Sequence, residues 1–221
     1  MLPDADIAKV APQVAMSAFF NSGQVCIATK RIYIPEQIYK PFVEALAGVA
    51  TSLKVGPSNE EGVMLGPIQN DMQYERVKGF FADAKAKGYK FAAGSDTVEE
   101  SKGYFVKPAI IDNPPNDSRI IVEEPFGPIV PCQPYTDLAE VIERANNTRM
   151  GLGATVFGTD LAKCQEVADQ IESGSVWINS GPRPAPQAHF GGVKESGIGT
   201  EFGTNGILAY ANIKAIHTYK A

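Results

Sequence analysis

The sequence predicts an α/β domain with a mostly parallel sheet flanked by helices. Three observations carry that prediction. Short extended apolar runs alternate with stretches whose apolar residues recur at three- and four-residue steps, the pattern of strand-helix units. Glycine and proline clusters fall between those runs, at Gly56-Pro57, Gly66-Pro67 and Asn113-Pro114-Pro115. The 221 residues, 44% of them hydrophobic, suffice for one substantial core but not for two ordinary domains with linkers, so residues 1–221 read as one domain.

Taken in order, Asp4 or Asp6 can cap a first helix in which Ile7, Val10, Ala11, Val14 and Ala18 share a face as far as Phe20. Lys30 to Ile34 reads as a strand, and Pro35 suits the first turn of a helix carrying Tyr39, Phe42, Val43, Leu46 and Val49. Met72 to Lys87 has helical periodicity and closes at Gly88, as helices often close at glycine. Tyr89 to Ala93 and Tyr104 to Ile111 read as extended, and Glu123 to Phe126 leads into the apolar pair Ile129-Val130. The alternation then repeats: helix Thr136 to Asn146, strand Ala154 to Phe157, helix Leu161 to Ile171, strand Ser175 to Ile178. The loop from Ser180 to Gly199 is rich in glycine and proline, and loops at the carboxyl ends of such strands usually build the site. Finally, residues 210–219, Ile213 to Tyr219 above all, alternate well enough for a strand, which at a chain end needs a partner.

Composition excludes several classes. A net charge of -5 with both signs interspersed gives no basic stripe for nucleic acid and no cationic face for a membrane. Cys26, Cys132 and Cys164 are odd in number and far apart, which argues against a disulfide framework and a zinc site, and no metal is expected. With no leader-like segment and no apolar run of spanning length, a soluble cytoplasmic protein is expected, and Asn116-Asp117-Ser118 and Asn146-Asn147-Thr148 are read as chance glycosylation matches.

The stretch that organises the chain is Phe19-Phe20-Asn21-Ser22-Gly23-Gln24-Val25-Cys26, which places a thiol after a glycine turn at the end of an apolar helix. A cysteine at such a turn can meet a substrate while nearby backbone N–H groups stabilise an oxyanion. It can equally be a small buried hydrophobe.

Phe20-Asn21-Ser22-Gly23-Gln24-Val25-Cys26 resembles the F-x-N-x-G-Q-x-C signature of the nucleophilic cysteine in the aldehyde dehydrogenase superfamily. Glu123 to Pro128 is similar to that family's E-E-x-F-G-P, Ser175 to Asn179 to its strand ending in Asn, and Phe190 to Gly197 to its F-G-G-x-K-x-S-G, in family order. The resemblance spans nearly the whole chain but only the C-terminal half of a usual member. It implies the α/β catalytic domain of such an enzyme, with Cys26 as nucleophile on a loop at the cleft. Because the nucleotide-binding domain, an oxyanion-hole asparagine and the E-L-G-G-K-like segment of the general-base glutamate are not matched, the expectation is that this chain alone holds no cofactor, NAD or NADP binding only when the missing domain is supplied.

On that resemblance, Glu124 and Phe126 align with positions that touch the nicotinamide ribose. Glu124 is alternatively an acid or base near the thiol, and the pair also reads as an ordinary strand-start turn with a core aromatic. Asn179 aligns near the substrate pocket and is also an ordinary turn former. Phe20 and Trp177 can line an apolar pocket or belong to the core. Gly181 to His189 departs from the family, which usually has Thr-Tyr or similar after the Asn. There His189 can act as a base or anion contact and Arg183 can bind a carboxylate, although both also read as exposed loop residues. Cys132 and Cys164 read as structural.

Three functions follow. First, a cofactor-independent thiol enzyme adds Cys26 to a carbonyl or enal-like substrate, with isomerisation or hydrolysis as outcome. Second, the chain is part of an NAD(P)-dependent aldehyde dehydrogenase that oxidises an aldehyde to an acid when the nucleotide domain is supplied. Third, it is a non-catalytic assembly subunit. The resemblance also implies a homodimer or larger oligomer joined through the terminal strand.

Overall fold

Asp6 caps the first helix, α1 (Ile7–Phe19), its carboxylate accepting from the backbone N–H groups of Ala8 and Lys9 at 3.1 and 3.3 Å. Asp4, the other candidate cap, instead accepts from the N–H groups of Thr159 and Asp160 at 2.9 and 2.7 Å and ties the chain start to a distant loop. The computed structural model describes residues 1–99 and 101–220.

After α1 come β1 (Ile32–Pro35), α2 (Glu36–Ser52), α3 (Asp71–Ala86), β2 (Lys90–Ala93), β3 (Ala109–Asp112), the single turn α4 (Arg119–Val122) and β4 (Ile129–Tyr135). The four strands form one sheet in the order β1-β4-β3-β2, parallel at β1-β4 and β4-β3 and antiparallel at the β2 edge. Successive strand residues point to opposite faces, and the core divides accordingly. Ile110 and Val130 join Phe19, Phe42 and Leu46 under α1 and α2. Ile111 and Ile129 join Val77, Phe80 and Phe81 under α3.

A second, smaller unit follows: α5 (Leu138–Asn146), β5 (Met150–Gly151), β6 (Gly153–Val156), α6 (Leu161–Ala168) and β7 (Ser175–Ile178), with β6 and β7 parallel. Its core gathers Leu2, Val156, Cys164 and Val167. The glycine-rich segment beyond β7 forms β8 (Phe190–Gly191), β9 (Val193–Lys194) and β10 (Thr200–Glu201), in which β10 pairs β8 and β9 pairs β5, both antiparallel, before the short helix α7 (Gly203–Leu208).

Three expectations change. The Tyr104–Ile111 run pairs only from Ala109, immediately after Pro108, which has no N–H to give a ladder. Conversely, the Ile129-Val130 run extends through Pro131 and Pro134 to Tyr135. Residues Ile129–Cys132 pair β3 whereas Cys132–Tyr135 pair β1, so Pro131 and Pro134 each have a neighbour on one side only and an open side for the missing donor. The terminal stretch of residues 210–219 forms no strand in the single chain: residues 212–220 join no ladder, and Ile213, Ile216 and Tyr219 are exposed. A strand needs an edge to pair with, and among the described residues this stretch pairs with none. Among the described residues, no helix is long and apolar enough to cross a membrane.

Candidate active site

The cysteine turn is built by an unusual backbone. After α1, Asn21, Ser22 and Gly23 take φ values of 51°, 56° and 72°, three left-handed residues in succession. Only glycine adopts that conformation freely, so the two others are held by contacts. Ser22, fully buried, donates its hydroxyl to the Gly66 carbonyl at 2.7 Å. The Asn21 amide donates to the Gln24 carbonyl at 3.2 Å, and Gln24 returns a bond to the Asn21 carbonyl while accepting from the Gln69 N–H at 2.9 Å. The strapped turn leaves Cys26 exposed, whereas Cys132 and Cys164 are buried. Burial pushes both of those thiols upward, away from the reactive thiolate. The Cys26 N–H has no acceptor among the described residues, so it is available to an oxyanion.

Facing the turn is the segment that enters β4. Gly23 lies directly against Gly127, so closely that a Cβ on Gly23 would stand 2.3 Å from the Gly127 carbonyl oxygen. Phe126, at φ 47°, and Pro125 have their carbonyls held by the Gln73 amide of α3 at 2.9 and 2.8 Å. Cys26, Glu124 and Phe126 line one cleft of about 1480 Å³, together with Lys30. No side-chain hydrogen bond takes up the Glu124 carboxylate among the described residues, so it stays open to hydroxyl donors.

Sequence reasoning missed Lys30. Its ammonium donates to the Val25 carbonyl at 2.9 Å and the Gly23 carbonyl at 3.5 Å, and lies 4.6 Å from the centre of the Phe126 ring. Burial pulls this ammonium down to about 8, against the opposing fields of Glu124 and Cys26. The available signal was a lysine four residues after the thiol in the otherwise uncharged run Val25-Cys26-Ile27-Ala28-Thr29. Gln73 offered none, lying 52 residues from the carbonyl it holds.

The remaining predicted residues lie outside the cleft lining. Asn179 commits both ends of its amide to Gly158, accepting from the N–H at 2.9 Å and donating to the carbonyl at 2.7 Å. Trp177 donates its indole N–H to the Arg183 carbonyl at 3.2 Å, and its ring lies over Gly153. Phe20 is 61% exposed at the end of α1. Arg183 and His189 are exposed, the His189 ring hydrogen-bonded to the Thr200 hydroxyl.

Comparison with known proteins agrees with this architecture. The family model described as "Aldehyde dehydrogenase family" matches residues 1–216. Aldehyde dehydrogenase LUC3 of Fusarium sp is 38% identical over 221 residues, covering 100% of this chain and 47% of LUC3. The chloroplastic betaine aldehyde dehydrogenase of Amaranthus hypochondriacus is 38% identical over 96% of this chain and 43% of its own length. Among solved structures, the NAD+ complex of an aldehyde dehydrogenase from Bacillus cereus superposes with a TM-score of 0.92 at 36% identity, covering 97% of this chain and 43% of that one. The chain thus spans less than half the length of the curated relatives it matches. With an exposed cysteine on a strapped turn, a carboxylate across the cleft and a fold shared at this level of identity, the chain belongs to the aldehyde dehydrogenase family.

Proposed function

We propose that this chain supplies the thiol-bearing half of an NAD-dependent aldehyde-oxidising enzyme, with Cys26 as nucleophile. The observation that carries this reading is the cleft in which an exposed Cys26 shares its walls with Glu124 and Phe126. The thiolate adds to the aldehyde carbon, forming a carbon-sulfur bond while the carbonyl electron pair moves onto oxygen. The free Cys26 N–H is placed on the backbone where it can meet that oxygen. When bound, NAD supplies the acceptor for the hydride whose departure leaves a thioester. Water then cleaves the thioester, releasing the acid and restoring the thiol. The residues present fit only the nicotinamide-ribose end of NAD: Glu124, whose carboxylate has no hydrogen-bond partner among the described residues, can offer it to a diol in the cleft that Phe126 also lines. The chain's own contribution is therefore the covalent step, with the remainder of the cofactor site in the part of the family fold that this chain does not span.

The cofactor-independent isomerase or hydrolase reading has no specific feature in its favour, whereas the family relation and the NAD+ complex of the Bacillus cereus neighbour weigh toward oxidation. A non-catalytic assembly role sits poorly with an exposed, strapped thiol. Assembly through the tail rests on the exposed Ile213, Ile216 and Tyr219.

Intact-protein mass spectrometry with aldehydes, enals and an alkylating probe tests the reading, with absorbance of reduced nicotinamide followed in the presence and absence of a relative's nucleotide-binding half. Adducts lost in Cys26→Ala, and reduction only with the added half, support it. Turnover of an enal or thioester without NAD, or an inert Cys26, overturns it.

A further inference from the structure

We propose that Lys30 is a positioning residue for the nucleophile: its ammonium spans the cleft wall from the Gly23 and Val25 carbonyls to the Phe126 face, fixing the Cys26 turn and keeping a positive charge beside the thiol. This rests on the reading of Cys26 as nucleophile. The geometry is specific. The two carbonyls bracket the turn three residues before and one residue before Cys26, so a single ammonium fixes the backbone on the approach to the sulfur. The same group lies against Phe126, the ring whose carbonyl Gln73 holds from α3, and so couples the thiol side of the cleft to the carboxylate side. The titratable groups facing it are Cys26 on its own loop and Glu124 on the opposite segment, both drawing on its charge.

A half-buried lysine with no ion pair among the described residues is costly to the fold, and it also loses its proton more readily than an exposed one. Its charge is mostly retained at neutral pH and fades as pH rises through about 8. An arginine there stays charged throughout. A cation beside a cysteine in general favours thiolate over thiol, and the thiolate is the species that attacks.

The test is alkylation of the full chain by iodoacetamide, read at the Cys26 peptide by mass spectrometry from pH 6 to pH 10, for wild type, Lys30→Met, Lys30→Gln and Lys30→Arg, each checked for a cooperative melt. Lys30→Met and Lys30→Gln are expected to react on the order of tenfold more slowly at neutral pH. Lys30→Arg keeps the rate but loses the feature that the wild-type profile shows near pH 8. Superimposable profiles for wild type and Lys30→Met, or an equal loss at every pH in Lys30→Met and Lys30→Arg, overturn the proposal while leaving Cys26 as nucleophile. If Lys30→Met or Lys30→Gln does not fold, the Lys30→Arg profile decides, and its coincidence with wild type through pH 8 overturns the proposal. A wild-type Cys26 no faster than an unstructured cysteine peptide overturns both this proposal and the nucleophile reading.

Discussion

Replacing Gly23 with alanine perturbs the contact on which the two cleft walls meet. Gly23 sits at φ 72°, where a Cβ costs about 1–2 kcal/mol in backbone strain alone. The added carbon would also lie 2.3 Å from the Gly127 carbonyl oxygen, 2.7 Å from its carbon and 3.3 Å from the Ala18 carbonyl oxygen. Those neighbours are backbone and cannot swing aside. Gly127 has little room to retreat either, since its own Cβ direction is filled by Val77 at 2.4 Å. Relieving such an overlap costs about 1–3 kcal/mol more, for a total of roughly 2–5 kcal/mol, a large share of a typical stability of about 5–15 kcal/mol. For a chain of this size the melting point should fall by roughly 5–20 °C. Gly62→Ala is the control: it has φ 75° but no atom within 4 Å of its added Cβ, so it isolates the strain. Urea unfolding of both variants, followed by the fluorescence of Trp177, gives the comparison. Equal losses for the two variants would show that the Gly23–Gly127 contact has no energetic weight, and the reasoning would be refuted.

Lys30→Met should change the pH dependence of stability. The ammonium titrates at about 8 in the folded chain and at 10.5 when unfolded, so between those values the unfolded state binds more protons and wild-type stability rises with pH. The stability of Lys30→Met relative to wild type is therefore greatest below pH 8 and falls by about 3 kcal/mol on reaching pH 10.5, which urea melts at both ends can measure. Trp177 is the single tryptophan, and its ring and the Ile27 side chain, next to Cys26, both lie over Gly153, so alkylating Cys26 should alter its emission; an unchanged spectrum on complete modification would refute that expectation. Gln73→Leu removes both donors from the Pro125 and Phe126 carbonyls and should cost about 1–3 kcal/mol and slow adduct formation at Cys26, measured by unfolding and by mass spectrometry.

Much of this was legible before any coordinates, because local rules and tertiary packing agree. Helices α1, α2, α3, α5 and α6 fall within a few residues of their periodic stretches, and β1, β2, β6 and β7 likewise. The prediction of β4 stopped at Val130 because proline normally ends a central strand, and no sequence rule shows that the neighbours of β4 change at Cys132. The tail alternates like a strand, but a ladder also needs an edge, which is a property of surroundings rather than of sequence. In the site, Cys26, Glu124 and Phe126, expected from the resemblance, line one cleft. Lys30 escaped notice because its significance lies in two carbonyls and a ring, and backbone acceptors carry no signature in the amino-acid code.

The divided pairing of β4 makes that strand a ruler for the chemistry. Its start is continuous with Glu124 and Phe126, and its far half sets the register of β1, which begins two residues after Lys30. The thiol and the carboxylate thus each precede one of two paired parallel strands, β1 and β4, although 98 positions separate them in the chain. A slip of one residue between β1 and β4 would displace one cleft wall by about 3.3 Å relative to the other. That is comparable to the distance between a nucleophile and the carbon it attacks, so strand register in the sheet, as much as any side chain in the cleft, determines whether the two walls can act on one substrate.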